Sequence, residues 1–519
     1  MRRRSVLAPI LAATVVVVSA GCTPTSRWVS PNSGAGGPSA TPTARPSAGA
    51  AAWKPCPEVA AGILRQQSPP PNLAFECASV PVPQDWAAKD SGKTFDIALL
   101  RVHATNQGNR IGSLLVDPGG PGGSGVDLAV YLSQQLPTDV LRRFDVVGFD
   151  PRGVGRSNAV KCFSDADLDA FFGGDPDPVG DADFDAVAKV QANMAKSCGD
   201  KYGDSLRLFS TEQTARDMDV LRQAVGDPKL TYLGFSYGTL LGGVYAELFP
   251  DHIRAMVLDG AVDPTQNSID AGATQVKGFE HAFDNFSAWC KANASKCPIA
   301  PDARAAVVSA MQSAHQSPVR GVGGSRTATP GWIMTAVTSA LYSQETWPIL
   351  AAAIDDLRQN SAAKLFALAD AYAERDPTGH YSNLFDAFLT ISCTDDPTTL
   401  SRAKVRELQG TWRQQFPLFG PSAATQSLVC SQWPGKRDPY PTGKAGGAPP
   451  IVVVGTTGDP ATPYEQTAKL ADMLGVGVVL TWQGEGHTAY PQTRCINDAV
   501  NKYLIDLTPP AKGTTCPAR

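Results

Sequence analysis

The segment LTYLGFSYGTLLGGVYAELFP, residues 230–250, carries the strongest indication of the fold. A short apolar run ends in Gly-x-Ser-x-Gly at Gly234, Ser236 and Gly238, and a longer apolar run follows. Glycines on both sides of a serine permit a sharp strand-to-helix turn that exposes the hydroxyl group. The pattern leaves two interpretations of Ser236: a nucleophile on such a turn, or an ordinary helix-capping serine.

Short apolar runs that end in turn residues alternate with helical patterns through much of the chain. This alternation is typical of an α/β fold with a mostly parallel sheet flanked by helices. The runs, with their following loops, lie at 95–104, 112–125, 144–157, 230–238, 253–260, 449–463 and 475–487.

Between Gly260 and about Ala448 the strand pattern disappears, and the composition becomes largely helical. An insertion of this size between two sheet strands predicts a cap over the strand ends, although an independent helical domain is the alternative. We therefore predict a core in two parts, residues 53–265 and 449–519, with a mainly helical cap at 266–448.

The N-terminus combines three arginines, an apolar run and small residues before Cys22. Residues 1–21 are therefore predicted to be a secretory signal peptide. Ser19-Ala20-Gly21-Cys22 resembles a bacterial lipobox, which predicts a lipid on Cys22; the alternative is a secreted protein with a free Cys22. Residues 22–52 are rich in Pro, Ser, Thr, Gly and Ala, and predict a flexible linker. We expect attachment to the outer side of the cytoplasmic membrane, in the cell envelope.

The cysteine count supports export. Eleven cysteines are present, and ten remain when Cys22 is set aside. In an oxidising compartment ten cysteines can form five disulfides, although sequence alone does not fix the connectivity. Pairing sequence neighbours predicts the local bridges Cys56–Cys77, Cys162–Cys198, Cys290–Cys297, Cys393–Cys430 and Cys495–Cys516.

Composition argues against several other classes of protein. The net charge is −4, with no long Lys/Arg cluster in the body, so a nucleic-acid partner is not expected. Neither a Cys-x-x-Cys pair nor a His-Glu-x-x-His motif occurs, so no metal or other cofactor is predicted.

A nucleophilic serine needs a base and an orienting acid. In hydrolases with a Gly-x-Ser-x-Gly turn the chain order is Ser, acid, His. Only His487, among six histidines, follows the late strand that ends at Asp459. We predict Ser236 as nucleophile, Asp459 as acid and His487 as base. Glu485 is a second candidate acid, less favoured because it lies two residues from His487.

Two loops complete the predicted site. The glycines of DPGGPGGSG, residues 117–125, let the backbone approach a substrate carbonyl group, and Gly120 is predicted to donate one N–H to an oxyanion. Tyr237, at a helix N-terminus, is predicted to donate the other. Asp150 and Arg152, on the loop after the next strand, are predicted to form a partly buried pair that holds neighbouring loops.

These motifs together resemble the α/β-hydrolase fold and, within it, the tripeptidyl-aminopeptidase-like family of actinobacterial envelope serine proteases, related to proline iminopeptidases. The resemblance spans roughly residues 80–265 and 390–516. It implies cleavage of peptide or protein substrates from their N-terminus through an acyl-enzyme on Ser236. The family usually has Asn where this chain has Asp117. A carboxylate there suits an oxyanion site only if it is paired or turned away.

An exopeptidase must also bind a free α-ammonium group. Asp395 and Asp396, in ISCTDDP, are candidates for this role, and a solvated or helix-capping acidic pair is the alternative. The sequence is compatible with two other functions. The same triad would serve a carboxylesterase or lipase, because fold and triad do not set the substrate. A non-catalytic, envelope-binding lipoprotein is the third.

Overall fold

The computed structural model describes residues 49–65, 68–321 and 326–518. The predicted signal peptide, Cys22 and all but the last residues of the predicted linker lie outside these ranges. Within the described ranges, no helix is both long and apolar enough to cross a membrane.

A single mixed sheet forms the centre of the described part of the molecule. Its strand order is β1-β2-β3-β5-β4-β6-β7-β10-β11-β12. Strands β1, β2 and β3 run antiparallel to their neighbours, and the other seven strands of this sheet run parallel to one another. The strands span Lys54–Pro55 (β1), Leu73–Pro83 (β2), Thr94–Ala104 (β3), Gly112–Asp117 (β4), Phe144–Phe149 (β5), Leu230–Phe235 (β6), Ile253–Asp259 (β7), Val319–Arg320 (β8), Thr327–Ala328 (β9), Ile451–Gly458 (β10), Gly477–Glu485 (β11) and Thr514–Cys516 (β12).

Helices cover both faces of this sheet and form most of residues 266–448, the predicted cap, here called the cap segment. They span Pro57–Leu64 (α1), Gly125–Gln135 (α2), Thr138–Arg143 (α3), Asp165–Phe172 (α4), Asp181–Tyr202 (α5), Thr211–Ala224 (α6), Tyr237–Leu248 (α7), Ser268–Ala292 (α8), Ala303–Gln316 (α9), Pro330–Leu341 (α10), Trp347–Arg358 (α11), Ala363–Ala373 (α12), Leu384–Asp395 (α13), Arg402–Gln415 (α14), Gly420–Ser431 (α15), Glu465–Leu474 (α16) and Arg494–Asp506 (α17).

Alternate residues of the central strands enter two different cores, because successive side chains of a strand point to opposite faces. Leu114 and Val116 pack with α1, α2, α3 and α17 on one face. Leu115, between them, packs with α6, α7 and α16 on the other face. Burial on both faces explains why these strands are apolar runs in the sequence.

Each of the seven predicted apolar runs contains a strand. The parallel sheet flanked by helices, predicted from their alternation with helical patterns, is therefore confirmed. Strand β11 continues to Glu485, so His487 follows the strand by two residues. Strand β2 was not predicted.

The cap segment is mainly helical, with one short antiparallel pair, β8 and β9. Helices α4 and α5 lie inside the predicted first core part, yet they pack against the cap segment. Phe184 and Ala188 of α5 form an apolar cluster with Val405 of α14 and Leu428 of α15. Residues from the first half of the chain therefore also pack into the cap segment.

The five disulfides join the predicted neighbours, so that connectivity is confirmed. They are Cys56–Cys77, Cys162–Cys198, Cys290–Cys297, Cys393–Cys430 and Cys495–Cys516.

The predicted ion pair between Asp150 and Arg152 is wrong. Arg152 is fully buried and extends to Asp217 of α6, with Nη2 2.6 Å from Oδ1 and Nε 2.7 Å from Oδ2. Asp150 accepts instead from the Ser124 hydroxyl and from the Val126 and Arg156 backbone N–H groups. The two residues leave their shared loop in different directions, because each finds partners on a different helix.

Candidate active site

The predicted site lies where the order of the sheet changes direction. The chain passes from β4 to β5 on one side and then returns to β6 on the other side of β4. Open α/β sheets place their binding sites outside the carboxyl ends of strands at such a switch point. The loop after β4 and Ser236, which follows β6, both lie at this point.

Ser236 occupies a strained turn between β6 and α7, here called the nucleophile turn (residues 234–238). Its φ of 55° and ψ of −125° are sparsely populated for a residue with a side chain. A β-carbon added to Gly234 would lie 2.4 Å from the Gly238 carbonyl oxygen, and one added to Gly238 would lie 2.9 Å from Asp117. The two glycines are therefore required by close backbone approach, as the motif predicts. No side-chain capping bond from Ser236 is present in this described turn.

His487 and Asp459 meet at the ends of β11 and β10. The His487 Nδ1 donates to Asp459, with Oδ1 at 2.9 Å and Oδ2 at 3.0 Å. The Asp459 carboxylate also accepts from the backbone N–H groups of Ala461, Thr462 and Thr488. These bonds fix the acid and leave the Nε2 atom of His487 available for a second partner.

The end of β7 brings Ser236 and His487 to the same place. The Ser236 N–H donates to the Asp259 carbonyl oxygen at 2.9 Å. A β-carbon added to the next residue, Gly260, would lie 3.2 Å from Cε1 of His487. The imidazole edge thus packs on the backbone that is bonded to the nucleophile turn.

Burial and Asp459 act in opposite directions on the protonation of His487. Burial disfavours the imidazolium ion, but the charge and hydrogen bond of Asp459 outweigh it and raise the pKa of His487 above 6.5. The imidazole is therefore more basic than a free histidine, which suits a general base.

Asp259 supports the histidine loop, and it was not predicted as a site residue. It is fully buried and accepts from the backbone N–H groups of Ala489 (3.0 Å) and Tyr490 (2.7 Å). Burial raises its pKa to about 7, although these two N–H groups oppose the shift. An acidic residue at the end of the apolar run MVLDG was the available signal, but its target loop is 230 residues away in the chain.

The glycine-rich turn (residues 118–123) lies against the nucleophile turn. A β-carbon on Gly119 would be 2.8 Å from the Tyr237 backbone nitrogen. Gly119 donates its own N–H to Asp117, whereas within the described residues the N–H groups of Gly120 and Tyr237 have no protein acceptor. Gly120 and Tyr237 thus stay the candidate oxyanion donors.

Asp395 contacts the site through a short chain of hydrogen bonds. The Tyr237 hydroxyl and Thr211 Oγ1 are 2.5 Å apart, and Thr211 donates both its hydroxyl and its N–H to Asp395. Burial raises the pKa of Asp395 to about 8, although both bonds from Thr211 oppose this shift. Asp396 is different: it accepts from the Thr398 N–H.

The cap segment contacts each of the three loops of the site. The Tyr342 ring meets His487 edge-on at 5.2 Å, and its carbonyl oxygen accepts the His487 N–H. A β-carbon on Gly122 would lie 2.5 Å from the carbonyl oxygen of Leu384. Gly278 packs against the Pro460 carbonyl group. The cap segment therefore lies over the carboxyl ends of the strands.

Glu485 is oriented away from the role of acid. Both of its carboxylate oxygens accept from Asn285 of α8 at 3.1 Å, whereas Asp459 holds the imidazole. Within the described ranges, no group of three or more His, Cys, Asp or Glu residues is placed to hold a metal ion.

The strand order β2-β3-β5-β4-β6-β7-β10-β11 and the serine turn after β6 define an α/β-hydrolase fold. The family model described as TAP-like protein matches residues 415–516. Serine protease Hip1 of Mycobacterium tuberculosis is 39% identical over 492 residues, covering 89% of this chain and 90% of that protein. Carboxylesterase B of the same organism is 39% identical over 494 residues, covering 92% of each chain.

Tripeptidyl aminopeptidase of Streptomyces lividans is 33% identical over 465 residues, covering 85% of this chain and 83% of that protein. The protein is thus a serine hydrolase of the α/β-hydrolase fold. It belongs to the tripeptidyl-aminopeptidase-like family, as the resemblance in its motifs predicted.

Proposed function

We propose that this protein is a serine exopeptidase of the cell envelope, and that Ser236, His487 and Asp459 are its catalytic triad. One observation carries the proposal: the strained serine turn and the His487–Asp459 pair share the same end of the sheet, around β7.

In this mechanism His487 takes the proton of the Ser236 hydroxyl group as the oxygen attacks the substrate carbonyl carbon. The N–H groups of Gly120 and Tyr237 bind the resulting oxyanion. His487 then gives its proton to the leaving amine, and an acyl-enzyme remains on Ser236. Water, deprotonated by His487, releases the acyl group and regenerates the enzyme.

Removal of residues from a free N-terminus would need a carboxylate for the α-ammonium group. Asp395 supports this role, because it is a poorly solvated carboxyl group two hydrogen bonds from the Tyr237 hydroxyl. An ammonium ion would favour its ionised form. Asp396, beside it, would add charge. Two relatives, named serine protease and tripeptidyl aminopeptidase, support peptide cleavage.

The location in the envelope is part of the same proposal. Five disulfides favour an oxidising compartment. The signal peptide and the lipid on Cys22 would supply export and membrane attachment.

Ester hydrolysis is the second candidate function. The relative named carboxylesterase B covers this chain as fully as the named protease does. The same three residues and oxyanion donors would hydrolyse an acyl ester, since the leaving group alone differs.

A fluorophosphonate probe and matched substrates test these functions. The probe should label the wild-type protein and fail to label Ser236→Ala. Short peptide anilides with a free N-terminus should be cleaved at least tenfold faster, in kcat/KM, than the same anilides after N-acetylation. Acyl esters provide the comparison for the second candidate.

Each result decides one part of the proposal. Labelling of Ser236→Ala would remove Ser236 as nucleophile, and absence of labelling in the wild type would remove both enzymatic functions. Equal rates on free and acetylated anilides, together with faster ester hydrolysis, would favour the esterase over the exopeptidase.

A further inference from the structure

Asp117 lies directly beneath the proposed oxyanion site. It is the last residue of β4, is paired with Gly234 of β6, and is 1% exposed. A β-carbon added to Gly238 would lie 2.9 Å from its Oδ1 atom. The carboxyl group is therefore buried between the glycine-rich turn and the nucleophile turn.

The partners of Asp117 do not suit a carboxylate ion. Its Oδ1 atom accepts the Gly119 N–H at 2.8 Å, and its Oδ2 atom is buried without a hydrogen-bond partner in the described structure. No Lys, Arg or His within the described residues forms an ion pair with it. The sequence leads us to expect this carboxylate to be paired or turned away. Only one of its two oxygens has a partner, so that expectation holds for Oδ1 and not for Oδ2.

The titratable groups around Asp117 add no positive charge. Tyr232 of β6, Tyr237 of α7 and Asp150 of the loop after β5 are the titratable groups that interact electrostatically with Asp117, and none of them is a cation. The Arg156 guanidinium pairs with Asp127 and Asp150.

We propose that Asp117 is a positioning residue of the reaction, and that only its neutral form lets the glycine-rich turn bind the oxyanion. An isolated carboxylate is costly to bury without a cation, so the site favours the neutral acid. Burial raises the pKa of Asp117 to about 7, although the Gly119 N–H opposes this shift; the charge of Asp150 adds to it.

Ionisation would act on the reaction through charge. The oxyanion would form against the N–H groups of Gly120 and Tyr237, and Asp117 contacts the residue next to each of them. A negative charge at this position repels the oxyanion in a poorly solvated site, where such interactions are strong. This inference rests on the proposed triad and oxyanion donors, but it does not depend on whether peptides or esters are the natural substrates.

The test compares wild type with Asp117→Asn, which keeps an acceptor for the Gly119 N–H and cannot ionise. The substrate is a p-nitrophenyl acyl ester, which has no titratable group. The ratio of kcat/KM for Asp117→Asn to that for wild type should rise about tenfold from pH 6 to pH 8, as follows from a pKa of about 7. This ratio cancels the titration of His487, which is common to both proteins.

The control is Asp227→Asn. Asp227 accepts the Ser113 N–H of the same strand, β4, but at its other end. The ratio of kcat/KM for Asp227→Asn to that for wild type should stay constant with pH. If circular dichroism shows that Asp117→Asn is unfolded, Asp117→Ser is used instead, and its ratio of kcat/KM to that of wild type should show the same rise with pH.

A constant ratio for a folded Asp117 variant would overturn the proposal, since a merely structural role lowers activity equally at each pH. A wild-type rate that does not fall between pH 7 and pH 9 would overturn it without any variant. Ser236→Ala distinguishes failure of this inference from failure of the proposed triad. If Ser236→Ala hydrolyses the ester as fast as wild type does, the proposed triad is wrong, whatever the result for Asp117.

Discussion

The backbone of Ser236 concentrates strain at one residue. A positive φ for a non-glycine residue persists only where the surroundings determine it, and such outliers cluster at functional sites. The glycines around Ser236, and the order of Ser236, Asp459 and His487, could be found in the sequence. The contributions of Asp117 and Asp259 could not, because they depend on which distant backbone groups the fold brings beside each carboxyl group.

Asp459→Asn should lower kcat by roughly 10⁴-fold, because an amide no longer selects the imidazole tautomer that deprotonates the serine. The acidic limb of the pH profile should also move to lower pH. Asp459 raises the pKa of His487, so its neutralisation lets the imidazole lose its proton at a lower pH. The measurement is kcat/KM on an acyl ester from pH 5 to pH 8.

Glu485→Gln is the matched control for this prediction, since Glu485 lies at the neighbouring strand end and bonds to Asn285. Its kcat should remain within about twofold of wild type. A loss in Glu485→Gln as large as that in Asp459→Asn would contradict the assignment of the acid.

Apolar runs in the sequence predict the strands that are buried on both faces of the sheet. Strand β2 escaped prediction because Pro81 and Pro83 interrupt its pattern and remove two N–H donors. They are tolerated because β1 pairs with β2 only at Cys77 and Glu76, which leaves that side of the strand unpaired at the prolines. The packing of α5 against the cap segment could not be predicted from the sequence either, because the apolar residues of α5 do not specify which part of the chain covers them.

The loop after β5 depends on Arg152, which also donates to the carbonyl oxygens of Pro83 and Leu208. Asp217→Asn should destabilise the protein by about 3–5 kcal/mol, because it leaves a buried guanidinium without its counter-ion. Denaturant unfolding, followed by circular dichroism, measures this change.

Asp127→Asn provides the comparison, since Asp127 pairs with Arg156 at 2.9 Å where both side chains are about two-fifths exposed. That change should alter the free energy of unfolding by less than about 1 kcal/mol. Equal effects of the two substitutions would show that burial does not set the strength of these pairs.

The end of the sheet that holds the proposed triad also holds several buried carboxyl groups that favour the neutral form. Burial raises the pKa of Asp117 and Asp259 to about 7 and that of Asp395 to about 8. They lie on three different parts of the chain, at the ends of β4, β7 and α13. The fold therefore brings together, near the proposed site, groups that bind protons more tightly than the same groups do in the unfolded chain.

This arrangement makes stability fall as pH rises. A carboxyl group with a raised pKa stabilises the folded state fully below its unfolded value of 3.8, and this contribution is lost as pH rises to the folded value. Carboxyl groups with a lowered pKa in the folded state, such as Asp85 and Asp376, make a contribution to stability that does not change above about pH 5. The apparent Tm should therefore drop by about 5 °C or more between pH 5 and pH 8.5. Scanning calorimetry should show a shallower drop for Asp117→Asn, and a Tm that rises over this interval would contradict the buried neutral acids.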